Sequence, residues 1–233
     1  MKSVITTDFH AHILPGADHG SEDLEMSLKQ LELIASYGIR RVVATPHFYP
    51  MKDHVDLYLE NRTDCARELK RGMTPGLPAV MLGAEVLVCE GMERMPGLEK
   101  LTVFGTNCIL LEMPTTKWTE TLLGTVDAIA RSGLTPVMAH VDRYDPKKVE
   151  QLFELGVKAQ LNPGAFFTRR ARAYSEKWLR EGRIVAVGSD LHHVNAREYK
   201  GFSKAVSSLG DYAPEIEQSM KMLLNGAKQI SVQ

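Results

Sequence analysis

The stretch Asp8-Phe9-His10-Ala11-His12 decides how the rest of this chain is interpreted. A short apolar run at residues 4–5 leads into it, and a turn follows at residues 15–16. Side chains two residues apart on an extended strand point to the same side, so His10 and His12 can present two imidazoles to one metal ion. The alternative is a pair of surface histidines, and a His-x-His pair by itself does not decide between the two.

Strand and helix signals alternate through the rest of the chain, with short connections. This alternation predicts an α/β protein with a mainly parallel sheet covered by helices. About seven strands are expected, which favours a closed or nearly closed barrel over a small open sheet. The predicted strands after the first lie at residues 41–47, 79–85, 108–112, 135–140, 157–162 and 183–190. The first predicted helix starts at Ser21, a capping serine. Further helices are predicted over 52–71, 117–132, 145–155 and 214–227, and one more is predicted to end at Gly182.

The composition indicates an ordinary globular protein. The chain has 233 residues, is 44% hydrophobic and 24% charged, and carries a formal net charge of -1. It shows no repeat or linker, so one domain over residues 1–233 is expected. The near-neutral charge argues against binding to a nucleic-acid backbone. Three cysteines without a short-spaced pair, no signal peptide and no apolar run of about 20 residues predict a cytoplasmic protein that does not insert into a membrane.

Histidines and acids follow the predicted strands at their carboxyl ends. In a parallel barrel those ends open onto one face, where active sites are built. Taken alone, each acid could be a salt-bridge partner or a helix cap, and each histidine could be a hydrogen-bonded residue of the rim. Together they predict a metal cluster. The set is His10, His12, His47, Glu85, Glu112, His140 and Asp190, with His19 and His192 just beyond two of the strands.

The ligand types restrict the metal. Imidazole and carboxylate without thiolate suit manganese, iron or zinc, and argue against calcium or a structural cysteine-bound zinc. Nine ligands are too many for one ion, so two or three ions with a bridging carboxylate are expected. Such centres favour hydrolysis of phosphate esters.

Six ordered motifs resemble those of the PHP (polymerase and histidinol phosphatase) superfamily, and more closely its bacterial manganese-dependent protein-tyrosine phosphatases of the CpsB and YwqE type. The resemblance runs from Thr7 to Arg197 and implies a distorted (β/α)7 TIM-like barrel. The motifs are Asp8-Phe-His10-Ala-His12-Ile-Leu-Pro, Ala44-Thr-Pro-His47, Gly83-Ala-Glu85, Leu111-Glu112-Met113, Ala139-His140-x-x-Arg143-Tyr144 and Ser189-Asp190-x-His192-x4-Arg197.

The resemblance implies three metal sites. The first would use His10, His12, Glu85 and Asp190, and the second would share Glu85 and add Glu112 and His140. The third would use His19, His47 and His192. The close relatives carry an acid where this chain has His19, so a changed charge or metal preference is expected there, with Asp18 as a reserve ligand.

The resemblance also implies a mechanism and a partner. A hydroxide activated by the metals would attack phosphorus, while Arg143 and Arg197 hold phosphate oxygens. Asp142 or Asp190 would protonate the leaving group. The expected substrate is a phosphotyrosine protein, the tail of a membrane-associated tyrosine autokinase that controls polysaccharide export. Manganese is the expected metal, with iron or zinc as alternatives. The residues Arg169, Arg170 and Arg172 are expected to form a basic loop.

Four other interpretations compete with this hypothesis. Cys65 and Arg71 match the Cys-x5-Arg spacing of cysteine-dependent phosphatases, but the segment lacks the glycine of a phosphate-binding loop and is predicted to be helical. A histidinol-phosphatase or other small-molecule phosphoesterase would keep the fold and change the substrate. A nuclease is disfavoured by the charge. A metal-binding protein without activity is disfavoured by the nearly complete ligand set.

Overall fold

A computed structural model describes residues 5–230, so Val4 of the predicted first apolar run lies outside the described residues. Strands and helices alternate as the sequence predicts. The strands are β1 (Thr7–Ala11), β2 (Arg41–Ala44), β3 (His47–Phe48), β4 (Ala79–Leu82), β5 (Glu85–Leu87), β6 (Cys108–Glu112), β7 (Thr135–Met138), β8 (Lys158–Leu161), β9 (Ile184–Val187) and β10 (Gln229–Ile230). The helices are α1 (Leu24–Ser36), α2 (Val55–Gly72), α3 (Glu120–Arg131), α4 (Pro146–Glu154), α5 (Arg169–Arg180), α6 (Ala196–Ser208) and α7 (Ala213–Leu223). Short 3-10 helices lie at Met92–Arg94, Leu98–Leu101, Val141–Arg143, Pro163–Phe166 and Gly210–Tyr212.

The strands form two sheets that are parallel apart from one edge. One sheet has the order β1-β2-β4-β10, and the other has the order β3-β5-β6-β7-β8-β9. Every pair is parallel except β10 with β4. The fold is therefore a mixed α/β fold with parallel sheets, and the parallel part of the expected architecture is confirmed.

Two predicted strands are each divided in the structure. The predicted strand at 41–47 becomes β2 and β3, because Pro46 has no N–H to give to a neighbouring strand. The run at 79–85 becomes β4 and β5 across Gly83-Ala84. The two breaks lie side by side, since Gly83 N–H donates to Ala44 O at 2.8 Å and Glu85 N–H donates to Pro46 O at 3.1 Å. His47 and Glu85 therefore begin short strands instead of ending long ones, which corrects the prediction.

The first strand contacts the chain that follows the last parallel strand. Ala11 forms a parallel bridge with Leu191. Asp190 N–H donates to His10 O at 2.7 Å, and His12 N–H donates to Leu191 O at 2.9 Å. The predicted ligand pair His10 and His12 and the segment carrying Asp190 are thus fixed to each other by backbone hydrogen bonds.

The starts of two helices differ from expectation, and the structure contains one helix that the sequence analysis does not predict. The cap of α1 is Asp23, whose carboxylate accepts the Met26 N–H at 2.8 Å, whereas Ser21 is buried and hydrogen-bonded to Ser27. The three arginines of the expected basic loop lie in the first turn of α5, capped by Thr168. The predicted elements do not include α6, whose sequence is polar on the whole.

The core lies between the strands and the helices that cover them. Leu122, Val126 and Ile129 of α3 are buried along one face, as the helical spacing predicts, and Trp118 packs just before the helix. A residue such as Val126 buries its whole side chain, which stabilises the fold by roughly 1.5–3 kcal/mol. Among the described helices, none combines the length and apolarity that crossing a bilayer requires.

Candidate metal centre

Glu85 is the centre of a buried cluster of imidazoles. Its Oε2 lies 3.2 Å from His10 Nε2, 3.3 Å from His12 Nε2 and 3.1 Å from His47 Nδ1. Its other oxygen, Oε1, lies 2.7 Å from His140 Nε2. One carboxylate thus faces four histidines from three different segments of the chain.

Asp190 completes a four-residue set with Glu85 and the histidines His10 and His12. Its Oδ1 lies 3.4 Å from His10 Nε2 and 3.3 Å from His12 Nε2, and the two Nε2 atoms are 3.2 Å apart. The ligand atoms of His10, His12, Glu85 and Asp190 all lie within 4.8 Å of one another, and all four residues are buried. This grouping has the composition expected for the first metal site.

A second group lies on the other side of Glu85. Ligand atoms of His47, Glu85 and Glu112 lie within 4.8 Å of one another. His140 Nε2 is 3.7 Å from Glu112 Oε1. The structure therefore brings Glu85, Glu112 and His140 together, the set expected for the second site, and adds His47 as a further neighbour.

The third group differs in one member from the expected set. His12, His47 and His192 have ligand atoms within 4.8 Å of one another, whereas His19 is exposed. The His19 ring nevertheless stacks near His47 and His192, with centroids 4.7 Å away in both cases. Asp18, the reserve ligand, is engaged by His12 Nδ1 at 2.6 Å and by the His47 N–H at 3.0 Å.

The donor set fits a divalent metal centre. Glu85 Oε2 and His47 Nδ1 are buried and make no hydrogen bond among the described residues, although they are 3.1 Å apart. A buried carboxylate oxygen without a hydrogen bond is costly unless a cation neutralises it. Nitrogen and oxygen donors of this kind suit manganese, iron or zinc.

The protonation of the rim residues agrees with ligand roles. Burial lowers the pKa of His47 and of His192 to about 4, so both imidazoles are neutral at neutral pH, the form that binds a metal. Burial, and next the charge of Glu85, raise the pKa of Glu112 to about 7. A divalent ion bound beside these carboxylates would favour the ionised form of Glu112.

Two of the predicted ligands have backbone conformations that non-glycine residues rarely adopt. His140 has φ 33° and Asp190 has φ 55°, both in the left-handed region. Such conformations cost of order 1–3 kcal/mol and occur mainly where function requires them. Here they turn each side chain towards Glu85 directly after strands β7 and β9.

Gly188 allows the segment with Asp190 to approach β1 closely. A Cβ at this position would lie 2.5 Å from His10 Cβ and 2.9 Å from Gln160 Nε2, distances that real Cβ atoms do not show. Any larger residue would push the last strand away from the His10 side chain. Gly188 is therefore part of the construction of the centre.

Sequence reasoning missed the amides that support the ligands. Gln160 of β8 is fully buried, and its Oε1 accepts the His140 N–H at 2.8 Å and lies 3.3 Å from His10 Nδ1. Asn162 donates from Nδ2 to Asp190 Oδ2 at 3.0 Å and accepts from Gln160 Nε2 at 2.6 Å. Strand β8 also contains Lys158, so the sequence carries no local signal that marks Gln160 as a buried support.

Asp8 stands behind the centre. It is buried and accepts hydrogen bonds from the Ser189 N–H at 2.8 Å and the Tyr199 hydroxyl at 2.9 Å. These contacts tie β1 to α6 and to the segment before Asp190. Asp8 is thus a support of the β1 backbone, and Tyr199 is a further residue that the sequence analysis missed.

The two predicted phosphate-binding arginines have different surroundings. Arg143 donates from a terminal guanidinium nitrogen to Asp190 Oδ2, and about half of its side chain, 53%, is exposed. Arg197 is exposed in the first turn of α6, where its backbone N–H donates to Asn195. Within residues 5–230, no ion pair or side-chain hydrogen bond connects Arg197 to the ligand cluster. Only Arg143 is therefore placed at the centre by its contacts.

The competing cysteine motif lies in a helix. Cys65 and Arg71 both belong to α2, and Cys65 is buried. Burial raises the pKa of the Cys65 thiol, so it is protonated at neutral pH. The segment forms no loop that could surround a phosphate, as the sequence predicts.

The fold and the centre together define a class: an α/β protein whose parallel strands present a histidine and carboxylate cluster able to hold more than one metal ion. The CpsB/CapC family, described as capsular polysaccharide synthesis, matches residues 6–211. The chain belongs to this family, which confirms the family expected from its motifs.

Named relatives agree with that assignment. The chain is 28% identical over 210 residues to the tyrosine-protein phosphatase YwqE of Bacillus subtilis, covering 82% of this chain and 79% of the relative. It is 26% identical over 215 residues to the tyrosine-protein phosphatase CpsB of Streptococcus pneumoniae, covering 82% and 84%. A solved structure from work on YwqE and CpsB, described as unique metal-dependent tyrosine phosphatases, matches with a TM-score of 0.73 and 24% identity over 95% of both chains.

Proposed function

We propose that this protein is a metal-dependent protein-tyrosine phosphatase. The observation that carries the proposal is Glu85, a buried carboxylate surrounded by four imidazoles, with one oxygen that has no hydrogen bond among the described residues. The relatives named above are tyrosine phosphatases, which supports this substrate class over histidinol phosphate.

The proposed ligands are the nine residues identified from the sequence. The first site would use His10, His12, Glu85 and Asp190, and the second Glu85, Glu112 and His140. The third would use His47 and His192 with His19 or His12. Manganese is the proposed metal. When bound, such ions act as Lewis acids that lower the pKa of water and neutralise charge on a phosphoryl group.

The chain's own residues would bind and orient the substrate. Arg143 is held by Asp190 and half exposed, so its outward N–H groups can donate to phosphate oxygens in a planar pair. Contacts from Arg143 and Asn162 favour the ionised form of Asp190, which suits a ligand better than an acid. Asp142 lines a cavity that Arg143 and Asp190 also line, and it is the proposed donor of a proton to the leaving tyrosyl oxygen.

The proposal extends to the surroundings of the site. We place the substrate phosphotyrosine on the tail of a tyrosine autokinase in polysaccharide export, and the enzyme in the cytoplasm, where its three free cysteines stay reduced. The bridge between Ala11 and Leu191 supports closure of the parallel strands into a distorted seven-stranded barrel in a single domain over 1–233.

The test compares two phosphate esters. A tyrosine-phosphorylated peptide and histidinol phosphate are assayed with manganese and after chelation, for the wild type, His10→Ala and the matched control His54→Ala. We expect manganese-dependent hydrolysis of the peptide, lost in His10→Ala and retained in His54→Ala. A preference for histidinol phosphate would instead indicate a histidinol-phosphatase. No turnover of either ester at full metal occupancy would refute both phosphatase functions.

A further inference from the structure

We propose that the cavity between Phe167 and Asp190 is the aryl subsite of this enzyme, and that Phe167 selects tyrosyl phosphate by packing against its ring. The inference rests on the proposed function and deepens it. The cavity has a volume of about 480 Å³, within the roughly 300–1,000 Å³ typical of ligand sites. It brings one exposed aromatic ring to the same space as Arg143, Asp190 and His192.

Phe167 is unusually exposed for its type. Its side chain is 66% exposed, whereas most large apolar side chains of this protein are buried. A single exposed apolar residue is ordinary on a surface, but this ring lines a cavity together with residues of the metal centre. An apolar ring beside charged groups is complementary to a ligand that is apolar at one end and anionic at the other, such as an aryl phosphate.

The ring is not needed to fix the start of α5. Thr168 caps that helix, so Phe167 occupies the position from which an apolar residue often packs against the fourth helical residue. The fourth residue here is Arg172, and its guanidinium lies 5.8 Å from the ring centre of Phe166 instead. The Phe167 side chain is therefore not used in this packing.

The Phe167 ring packs against the backbone of Gly201 in α6. A Cβ at Gly201 would lie 3.1 Å from Phe167 Cζ, closer than ordinary van der Waals contact. The absence of a side chain at this position lets the ring rest against α6. Phe167 itself is held at its backbone, since its N–H donates to Gly164 O at 3.2 Å. The ring is thus supported from behind and exposed towards the cavity.

The geometry orders the two halves of the substrate. The phosphate would meet Arg143 and the ligand cluster at the inner end, and the phenyl ring would pack on Phe167 at the outer wall. Aromatic pairs favour offset or edge-to-face contacts, and a serine or threonine phosphate has no ring to make them. The cavity therefore discriminates by the aryl group and not by the phosphate.

A second aromatic residue offers a rival location. Tyr49 stacks on His47 with ring centres 5.4 Å apart and lines a separate cavity with Asp18 and His19. That side of the centre contains Lys52 and no exposed phenyl ring among the described residues. Phe167 is favoured because its cavity, unlike that one, includes Arg143.

The experiment measures binding of two phosphonates that differ only in the aryl group. Phenylphosphonate and methylphosphonate are titrated calorimetrically into the manganese-loaded protein, and in parallel their competition with hydrolysis of a phosphotyrosine peptide is measured. The variants are Phe167→Leu, Phe167→Tyr and Tyr49→Leu. The matched control is Phe104→Leu, an exposed phenylalanine whose ring lies 4.9 Å from Lys228 Nζ and lines none of the cavities around the centre.

We expect phenylphosphonate to bind the wild type about two- to thirteenfold more tightly than methylphosphonate, the range expected for one aromatic contact. Phe167→Leu should remove most of that ratio while leaving methylphosphonate binding unchanged, and should raise KM for the peptide more than it lowers kcat. Phe167→Tyr and Phe104→Leu should keep the ratio.

Two results would overturn the inference. One is an unchanged ratio in Phe167→Leu, and the other is loss of the ratio in Tyr49→Leu alone, which would assign the ring to the other cavity. Failure of the proposed function is distinguishable, because it appears as no hydrolysis of the peptide by the wild type. In that case the calorimetric ratio still tests the subsite.

Discussion

Two buried glutamates differ in how their negative charge is compensated by neighbouring groups. Glu217 of α7 is 3% exposed and receives the Thr6 N–H at 3.0 Å, the Thr6 hydroxyl at 2.6 Å and the Arg41 guanidinium at 2.7 Å. Glu85 is 1% exposed, yet its Oε2 has three imidazole nitrogens within 3.3 Å and makes no hydrogen bond among the described residues. A satisfied buried charge is a structural feature, whereas an unsatisfied one indicates a site for a cation.

The largest effect is expected from Glu85→Gln, which keeps the shape of the side chain and removes its charge. Hydrolysis of a phosphotyrosine peptide should fall by more than about 100-fold, because substitution of residues that only support metal ligands already lowers metal affinity or activity by about 10–100-fold. Metal content by mass spectrometry and the rate with added manganese measure this. Binding of manganese with wild-type affinity by the variant would contradict the assignment.

Glu217→Gln should have the opposite profile. Loss of one partner of a buried ion pair costs about 3 kcal/mol of stability, and each kcal/mol lowers the Tm of a domain of this size by about 2–4 °C. The activity at 25 °C should stay within about twofold, because Glu217 contacts no ligand. Thermal unfolding and steady-state kinetics measure the two quantities. Equal losses of activity in both glutamate variants would remove the distinction between the two regions.

Gln160→Met sharpens the comparison at the rim of the centre. The variant keeps the volume and loses the acceptor for the His140 N–H, so the metal affinity should fall by about 10–100-fold. A chelator titration measures the affinity. Gln151→Met is the matched control, since Gln151 is exposed on α4 and lies outside the ligand set. An unchanged metal affinity in Gln160→Met would show that the His140 backbone holds its conformation without this amide.

The smallest effect is expected from Cys65→Ala. Because burial raises the pKa of this thiol, it is not an anionic nucleophile at neutral pH, and kcat/KM should change by less than about twofold. The cost in stability should be about 1 kcal/mol, typical of a point substitution. Insensitivity of the wild type to thiol alkylation gives an independent check, and strong inhibition would revive the cysteine mechanism.

The ligand set was accessible from sequence because it depends on two simple regularities. Polar residues follow apolar strands, and parallel strands end on one side, so His10, Glu112 and His140 could be brought together without coordinates. The family was likewise evident from the motifs. The parallel sheet followed from the alternation of strand and helix signals.

The remaining features depend on long-range contacts that periodicity does not report. The divisions of two strands arise where Pro46 and Gly83 meet side by side, a pairing of distant segments. Gln160 supports His140 from another strand, and nothing local distinguishes it from an exposed glutamine. Helix α6 was missed because its polar sequence hides an inner face with Tyr199, whose hydroxyl bonds Asp8.

The contact of Ala11 with Leu191 has a consequence for synthesis of the chain. The ribosome makes His10 and His12 well before Asp190 and His192. A nascent chain that ends before Asp190 therefore lacks part of the proposed first metal site and the backbone partners of β1. Stable capture of metal would then report that translation has reached the end of the parallel sheet, so a partly made chain would not withdraw metal ions from the cell.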